Sequence, residues 1–233
     1  MKLLKSAPLF FTIALFFTAC TSNEIGESKD VAQDKIYQSY SVSYTEGDET
    51  AEVYSQFRFA GANGTTLILS QPSQLQFDGE KIKVDSGEYS GAYYKALKPA
   101  AGFYGKHHFT FTTTDNKTYT NSFSFEGFKL VNIPPSVPKT KDLLLPFEAP
   151  ALKGDDYISV DAINTDSTFN ISHNYADGNA IKIPAEYLKK QKGATLTLEA
   201  SIVRKPSLQQ VTSEGGSLKI EQRLKPVKIA LTE

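Results

Sequence analysis

The chain has 233 residues with 25 basic and 26 acidic side chains, and a formal charge of −1 leaves no cationic excess for a phosphate backbone, which argues against a nucleic-acid partner. A single cysteine excludes a disulfide framework, so 15 Phe and 12 Tyr, with no Trp, must supply the burial that stabilises the fold. At this length one large or two ordinary domains are expected.

The first element is a leader. Lys2 and Lys5 precede an apolar run from Leu9 to Phe17, broken by Thr12, and the small residues Thr18 and Ala19 lead into Cys20, the only cysteine. This is the layout of a secretory signal peptide over residues 1–19. Its apolar core is too short to cross a hydrocarbon layer about 30 Å thick, which takes about 20 helical residues, so removal is expected.

Phe17-Thr18-Ala19-Cys20 resembles the lipobox of bacterial lipoproteins, with Phe17 where Leu is usual. The resemblance implies that a type II signal peptidase recognises Phe17, Thr18 and Ala19, and that the Cys20 thiol carries a diacylglyceryl group. The new amine would then be acylated too. Several acyl chains at about 0.8 kcal/mol per buried CH₂ make a firm membrane anchor. The absence of Asp after Cys20 implies the outer membrane in a host that has one, with periplasmic or surface face open.

Covalent lipid on Cys20 is the only prosthetic group expected, and no metal is. Without residues 1–19 there remain 214 residues, with 23 basic against 26 acidic side chains, or −3. Residues 20–34 are polar and without periodicity, and read as a lipidated flexible tether.

A first domain is expected over residues 35–131. Ile36 to Tyr44 and Ala51 to Phe59 read as a hairpin around a polar turn, with Val53, Phe57 and Phe59 on one face. Thr65 to Leu69 follows. Leu75 to Phe77 and Lys81 to Val84 flank Asp78-Gly79, a type I′ hairpin signal because both turn positions need positive φ. Residues 86–106, punctuated by four glycines, read as an irregular loop. His107 to Thr113 and Lys117 to Phe125 then alternate cleanly, giving the strand density of a sandwich.

Residues 132–142 hold three prolines and read as an interdomain linker. A second domain is expected over 143–233, with strands at Leu143 to Phe147, Tyr157 to Ile163 and Thr168 to His173. A turn at Asp177-Gly178-Asn179 leads into Ala180 to Ile183. Pro184 to Lys190 is the one helical piece, with proline in the first turn and lysines late. Leu196 to Ile202 and Leu218 to Leu224 alternate, and the parity changes after Pro226, so a kink is expected there.

No helix is long enough for a βαβ crossover, so the sheets should be antiparallel. The expected architecture is all-β, two tandem antiparallel sandwiches with one short helix in the second. The run IKIPAEYLKKQKGATLTLEASIVR resembles second domains of Bacteroidota-type lipoproteins, which implies immunoglobulin-like sandwiches and no particular activity.

Candidate chemistry is sparse. His107 and His108 are adjacent on a strand, so they should face opposite ways, one at the rim of the core and one in solvent. His173 has no paired His or Cys near it. Glu46, Asp48, Glu49 and Glu52, and Asp155, Asp156 and Asp161, lack a calcium-loop pattern and read as solvated turn charges.

Tyr89, Tyr93, Tyr94, Phe103 and Tyr104, on the loop 86–106, could stack on sugar rings or grip a peptide. The alternative is that several of them tuck under that loop as satellite core. Asn63-Gly64-Thr65, Asn116-Lys117-Thr118 and Asn170-Ile171-Ser172 match N-glycosylation acceptors, a pattern that is mostly noise in a bacterial lipoprotein, and Asp166-Ser167-Thr168 resembles a Bacteroidota O-glycosylation acceptor.

Three functions fit these residues: a non-enzymatic envelope lipoprotein acting as a structural, assembly or adhesion module; a lipoprotein capturing glycan or peptide through the tyrosines; and a hydrolase with an unrecognised carboxylate pair, the least favoured.

Overall fold

The computed structural model describes residues 24–87, 89–164, 167–173 and 180–233. The leader, Phe17, Thr18, Ala19 and Cys20 lie outside the described residues, as do the turn at 177–179 and Asp166.

The first half contains β1 (Ile25–Glu27), β2 (Ile36–Thr45), β3 (Thr50–Phe59), β4 (Thr66–Ile68), β5 (Gln74–Phe77), β6 (Glu80–Ile82), β7 (Val84–Gly87), β8 (Gly91–Pro99), β9 (Gly105–Thr112) and β10 (Thr118–Phe125). After β11 (Lys129–Leu130) and β12 (Ser136–Pro138) come β13 (Leu143–Glu148), β14 (Tyr157–Asn164), β15 (Ser167–His173) and β16 (Ala180–Ile183). Helix α1 (Ala185–Leu188), β17 (Thr195–Arg204), β18 (Gly216–Arg223) and β19 (Val227–Thr232) complete the chain. The protein is all-β, built as two sandwich modules.

Both modules share one sheet. Among the described residues it has twelve strands, running β1-β4-β3-β2-β18-β17-β14-β15 with side branches through β7, β8, β12 and β19. The sheet β10-β9-β5-β6 covers one half of it and β11-β13-β16 covers the other. Between the layers lie two cores: one aromatic, around Tyr40, Phe57, Phe77, Phe109 and Phe111, the other aliphatic, around Leu145, Ile158, Val160, Ile183 and Leu196.

The domain division differs from the expected one. Leu218 and Ile220 of β18 sit in the first core, and β18 pairs in parallel with β2 from Gly216↔Gln38 to Arg223↔Thr45. The far end of the chain therefore completes the first module. Three side-chain amides help to close it: Ser122 N donates to Gln209 Oε1 (2.7 Å), Thr120 N to Gln210 Oε1 (2.7 Å), and Phe128 N to Gln222 Oε1 (3.0 Å). At the kink expected at Lys225-Pro226, β18 has ended and β19 begins, both lying along β17.

Three pairings are parallel, against the wholly antiparallel expectation: β18 with β2, β1 with β4, and β12 with β19. Each joins segments far apart in sequence, so no crossover helix is needed. Two further segments are structured where a tether and a linker were expected. β1 lies within 20–34, and Ser28 after it is fully buried, its hydroxyl accepting from Ser70 N (2.8 Å). β12 lies within the proline-rich 132–142, and Pro135 and Pro138 stand beside a ladder that needs no donor from them.

The hairpin at Asp78-Gly79 has both φ values positive, 49° and 82°. Helix α1 starts after Pro184, its first amide held by Asp142 Oδ1 (2.8 Å), and is kept by burial of Leu188 rather than by its own length.

Candidate functional site

The five rings singled out in 86–106 do not form one surface. Most of that segment is strand, not loop: β8 forms its centre and completes a ladder with β3 and β7, and its ends belong to β7 and β9. Strand alternation then splits its tyrosines. Tyr94 points inward, edge-on to Phe57 at 5.5 Å, and its hydroxyl accepts from Leu69 N (2.7 Å); burial pushes its pKa up to about 12. Phe103 is buried as well.

Tyr93 points outward, stacked on Tyr54 at 5.5 Å, and donates to Asp85 Oδ2 (3.1 Å), a bond that raises its pKa. Tyr104 is half-exposed at the other end of the module, and Tyr89 stands 86% exposed at the β7–β8 tip. Part of the set is core and the remainder is dispersed.

The histidines are closer in role than strand geometry alone suggests. His107 is stacked against Phe103 at 4.5 Å and Phe77 at 5.3 Å, with Nδ1 2.7 Å from Asp78 Oδ2 and Nε2 2.6 Å from Phe103 O. His108 Nδ1 lies 3.3 Å from the other Asp78 oxygen, which also accepts from His108 N (2.9 Å). Asp78 sits on the turn beyond its ladder, so its carboxylate reaches both residues of the neighbouring strand. Among the described residues no group of three His, Cys, Asp or Glu is placed to hold a metal.

A concavity lies where the modules meet. A cleft of about 740 Å³ is bordered by Ser124, Glu126, Lys153, Asp156, Arg204 and Lys205, with Phe123 and Ile220 beneath. Arg204 ends β17 and is largely buried; it donates to Glu126 Oε2 (3.1 Å) and Glu126 O (3.2 Å), and burial lowers its pKa. Asp156 is not the solvated turn charge expected of it. It is 6% exposed, and its two oxygens accept from Lys153 N (3.0 Å) and Lys205 N (2.8 Å).

Because both Asp156 oxygens cap backbone amides and Glu126 is engaged by Arg204, the carboxylates of this cleft hold its walls. They are not paired for acid–base work. The rest of the lining is exposed Lys153, Lys205 with its ammonium 5.4 Å over the Tyr157 ring, and the β10 edge at Ser124, beyond the stretch covered by Gln209 and Gln210. Such a surface can offer hydrogen bonds and an ammonium group to an extended polar ligand.

Sequence reasoning missed the cleft because four separate segments build it. The one local signal was an arginine at the end of the β17 alternation.

No protein-family model matches the chain, and no curated protein matches it. Among solved structures it is similar to the crystal structure of DIP-gamma IG1+IG2, with 11% identity over 84% of this chain and 95% of that one, at a TM-score of 0.22. It is also similar to Dpr11 IG1 bound to DIP-gamma IG+IG2, with 10% identity over 83% and 94%, at 0.23. A third is the Bacteroides ovatus mixed-linkage glucan utilization locus protein SGBP-B in complex with a mixed-linkage heptasaccharide, with 9% identity over 90% and 66%, at 0.22. At these scores the likenesses carry no argument about function.

Proposed function

We propose that the chain is a non-enzymatic lipoprotein of a bacterial cell envelope, anchored in the outer membrane by lipid on Cys20, whose joined β modules serve as a structural, assembly or adhesion element. A protein or glycan partner would engage the cleft between the modules. The observation that carries this reading is the secretory leader closing on the chain's sole cysteine, directly ahead of the all-β body. The occupied carboxylates of the cleft support binding over catalysis. The dispersal of the five rings favours the cleft over residues 86–106 as the binding surface.

The test is expression in a diderm bacterium with labelled palmitate. The wild-type chain should incorporate label and pellet with the outer membrane. Cys20→Ala should lose both properties, and label retained in that variant would overturn the anchor. For the cleft, Lys153→Glu combined with Lys205→Glu should abolish retention on whichever glycan or peptide array feature binds the wild type; unchanged retention would move the site elsewhere.

A further inference from the structure

The lipoprotein reading has a geometric consequence for which part of the body meets the bilayer. β1 enters the main sheet at one pole of the first module, where Ile25 pairs with Thr66 and Thr66 Oγ1 donates to Glu24 O (3.3 Å). Other chain turns converge on the same pole. The 60–64 turn is there, with Ala60 N donating to Lys35 O (2.9 Å), and so is the 113–117 turn, with Thr114 N donating to Gln33 Oε1 (3.1 Å). Residues 212–215 join them through Thr212 Oγ1, which donates to Ile36 O (2.7 Å).

The β7–β8 tip is packed onto this pole as well. Ala92 N donates to Thr66 Oγ1 (2.9 Å), and Gly91, at φ +66°, approaches so closely that a Cβ there would lie 2.2 Å from that oxygen. Tyr89 therefore projects from a tip held down beside Ile25.

We propose that this pole is a lipid-docking surface, seated on the leaflet that holds the acyl chains of Cys20, with the second module and its cleft facing away. Two independent observations carry it. The first is reach. Four residue-to-residue steps lead from Cys20 to Glu24, and at no more than about 3.6 Å each they allow about 14 Å between the lipidated residue and the pole. β2 runs from this pole at Ile36 to the module junction at Thr45, a span of about 30 Å at strand rise. The anchor can reach the pole and cannot reach the cleft.

The second is surface character. Of the eight large apolar side chains exposed among the described residues, Ile25, Phe59, Tyr89 and Val211 lie at or beside this pole. Tyr favours the membrane–water interface, where an apolar ring and a hydroxyl are both satisfied. Charges at the pole are of both signs, with Lys35 paired to Glu214 at 2.9 Å and Glu24, Asp34, Asp115 and Lys117 around them. The contact is therefore apolar and not a basic patch reading anionic headgroups.

Because lipid occupies the only cysteine, a second cysteine introduced by substitution is the sole free thiol. Ala62→Cys at the pole, Lys83→Cys on the flank and Lys192→Cys in the second module would each carry an environment-sensitive fluorophore. The lipidated protein would be reconstituted in phosphatidylethanolamine–phosphatidylglycerol vesicles containing a headgroup-level quencher.

Loss of most emission at position 62, little at 83 and none at 192 is the expected pattern, unchanged in 0.5 M salt as about a 4 Å Debye length would leave apolar contact intact. Combining Ile25→Ser with Tyr89→Ser should restore emission at 62 while the protein stays on the vesicles. Equal quenching at 62 and 83, or none at 62, in protein whose intact mass includes the lipid would overturn the pole alone. An intact mass without lipid would overturn the anchor and the pole with it.

Discussion

The two modules differ in how they are closed. The second builds its core from β13, β14, β16, β17 and β19, with α1, β12 and Phe128 added, and apart from residues 128–137 draws on chain that follows residue 142. The first cannot close with its own residues. Its main sheet ends at β2 until β18 arrives from 170 or more residues away, and the β10 edge stays open until Gln209 and Gln210 reach it. Two sandwiches in sequence order can thus be one folding problem in space, because a strand with two apolar-edged neighbours is shared between them.

The sharpest way to break this comparison is to end the chain at Lys205. β18, β19 and the three glutamines would be lost, exposing the β2 edge beside Tyr40 and Val42. No cooperative unfolding transition and a loss of the near-ultraviolet aromatic circular dichroism signal are expected. Near-native aromatic signal would show that the first module closes unaided.

A milder comparison sets Ile220→Ala, in the first core, against Ile229→Ala, in the second. Both side chains are at most 5% exposed, and each truncation should cost about 2–5 kcal/mol. If the shared sheet couples the modules, both variants shift one common urea transition. Two separable transitions, each moved by one variant only, would break the coupling.

Gln222→Leu should cost about 1–3 kcal/mol, since Phe128 N and Phe128 O would lose their amide partner at the junction. A neutral result by chemical denaturation would show that the junction is held by packing alone. In the opposite direction, Ser55→Ala should raise stability by up to about 1 kcal/mol, because the Ser55 hydroxyl is fully buried in the first core without a partner.

The smallest expected effect is at Asp142, whose pKa is lowered by the Ala185 amide and by Lys182. A lowered carboxylate pKa adds stability that is present above about pH 4, the unfolded value, and lost as pH falls through the folded one. Asp142→Asn should therefore lower stability slightly at pH 7, match the wild type at the acid end and so flatten the acid limb between them, as chemical denaturation at a series of pH values would read.

Much of the local structure was legible. Val53 and Phe57 against Tyr54 and Gln56 alternate because one face of β3 is buried, and Asp78-Gly79 marks its hairpin because only certain residues accept positive φ at low cost. The segment around Tyr93 and Tyr94 was misread because its glycines punctuate a strand as readily as a loop, as Gly91 does by allowing the tip to press on Thr66. The cleft was not legible at all: Ser124, Lys153, Asp156 and Arg204 come together from segments up to 80 residues apart.

By themselves the residues determined the strand periodicity, the turn chemistry and the aromatic and aliphatic character of the two halves, because each depends on near neighbours along the chain. Only the tertiary structure decided which strand lies beside which. Pairing partners are chosen by burial and hydrogen bonding across the sheet, so the fate of Leu218 and Ile220, which look like any half-buried alternation, rests on β2, whose edge they cover.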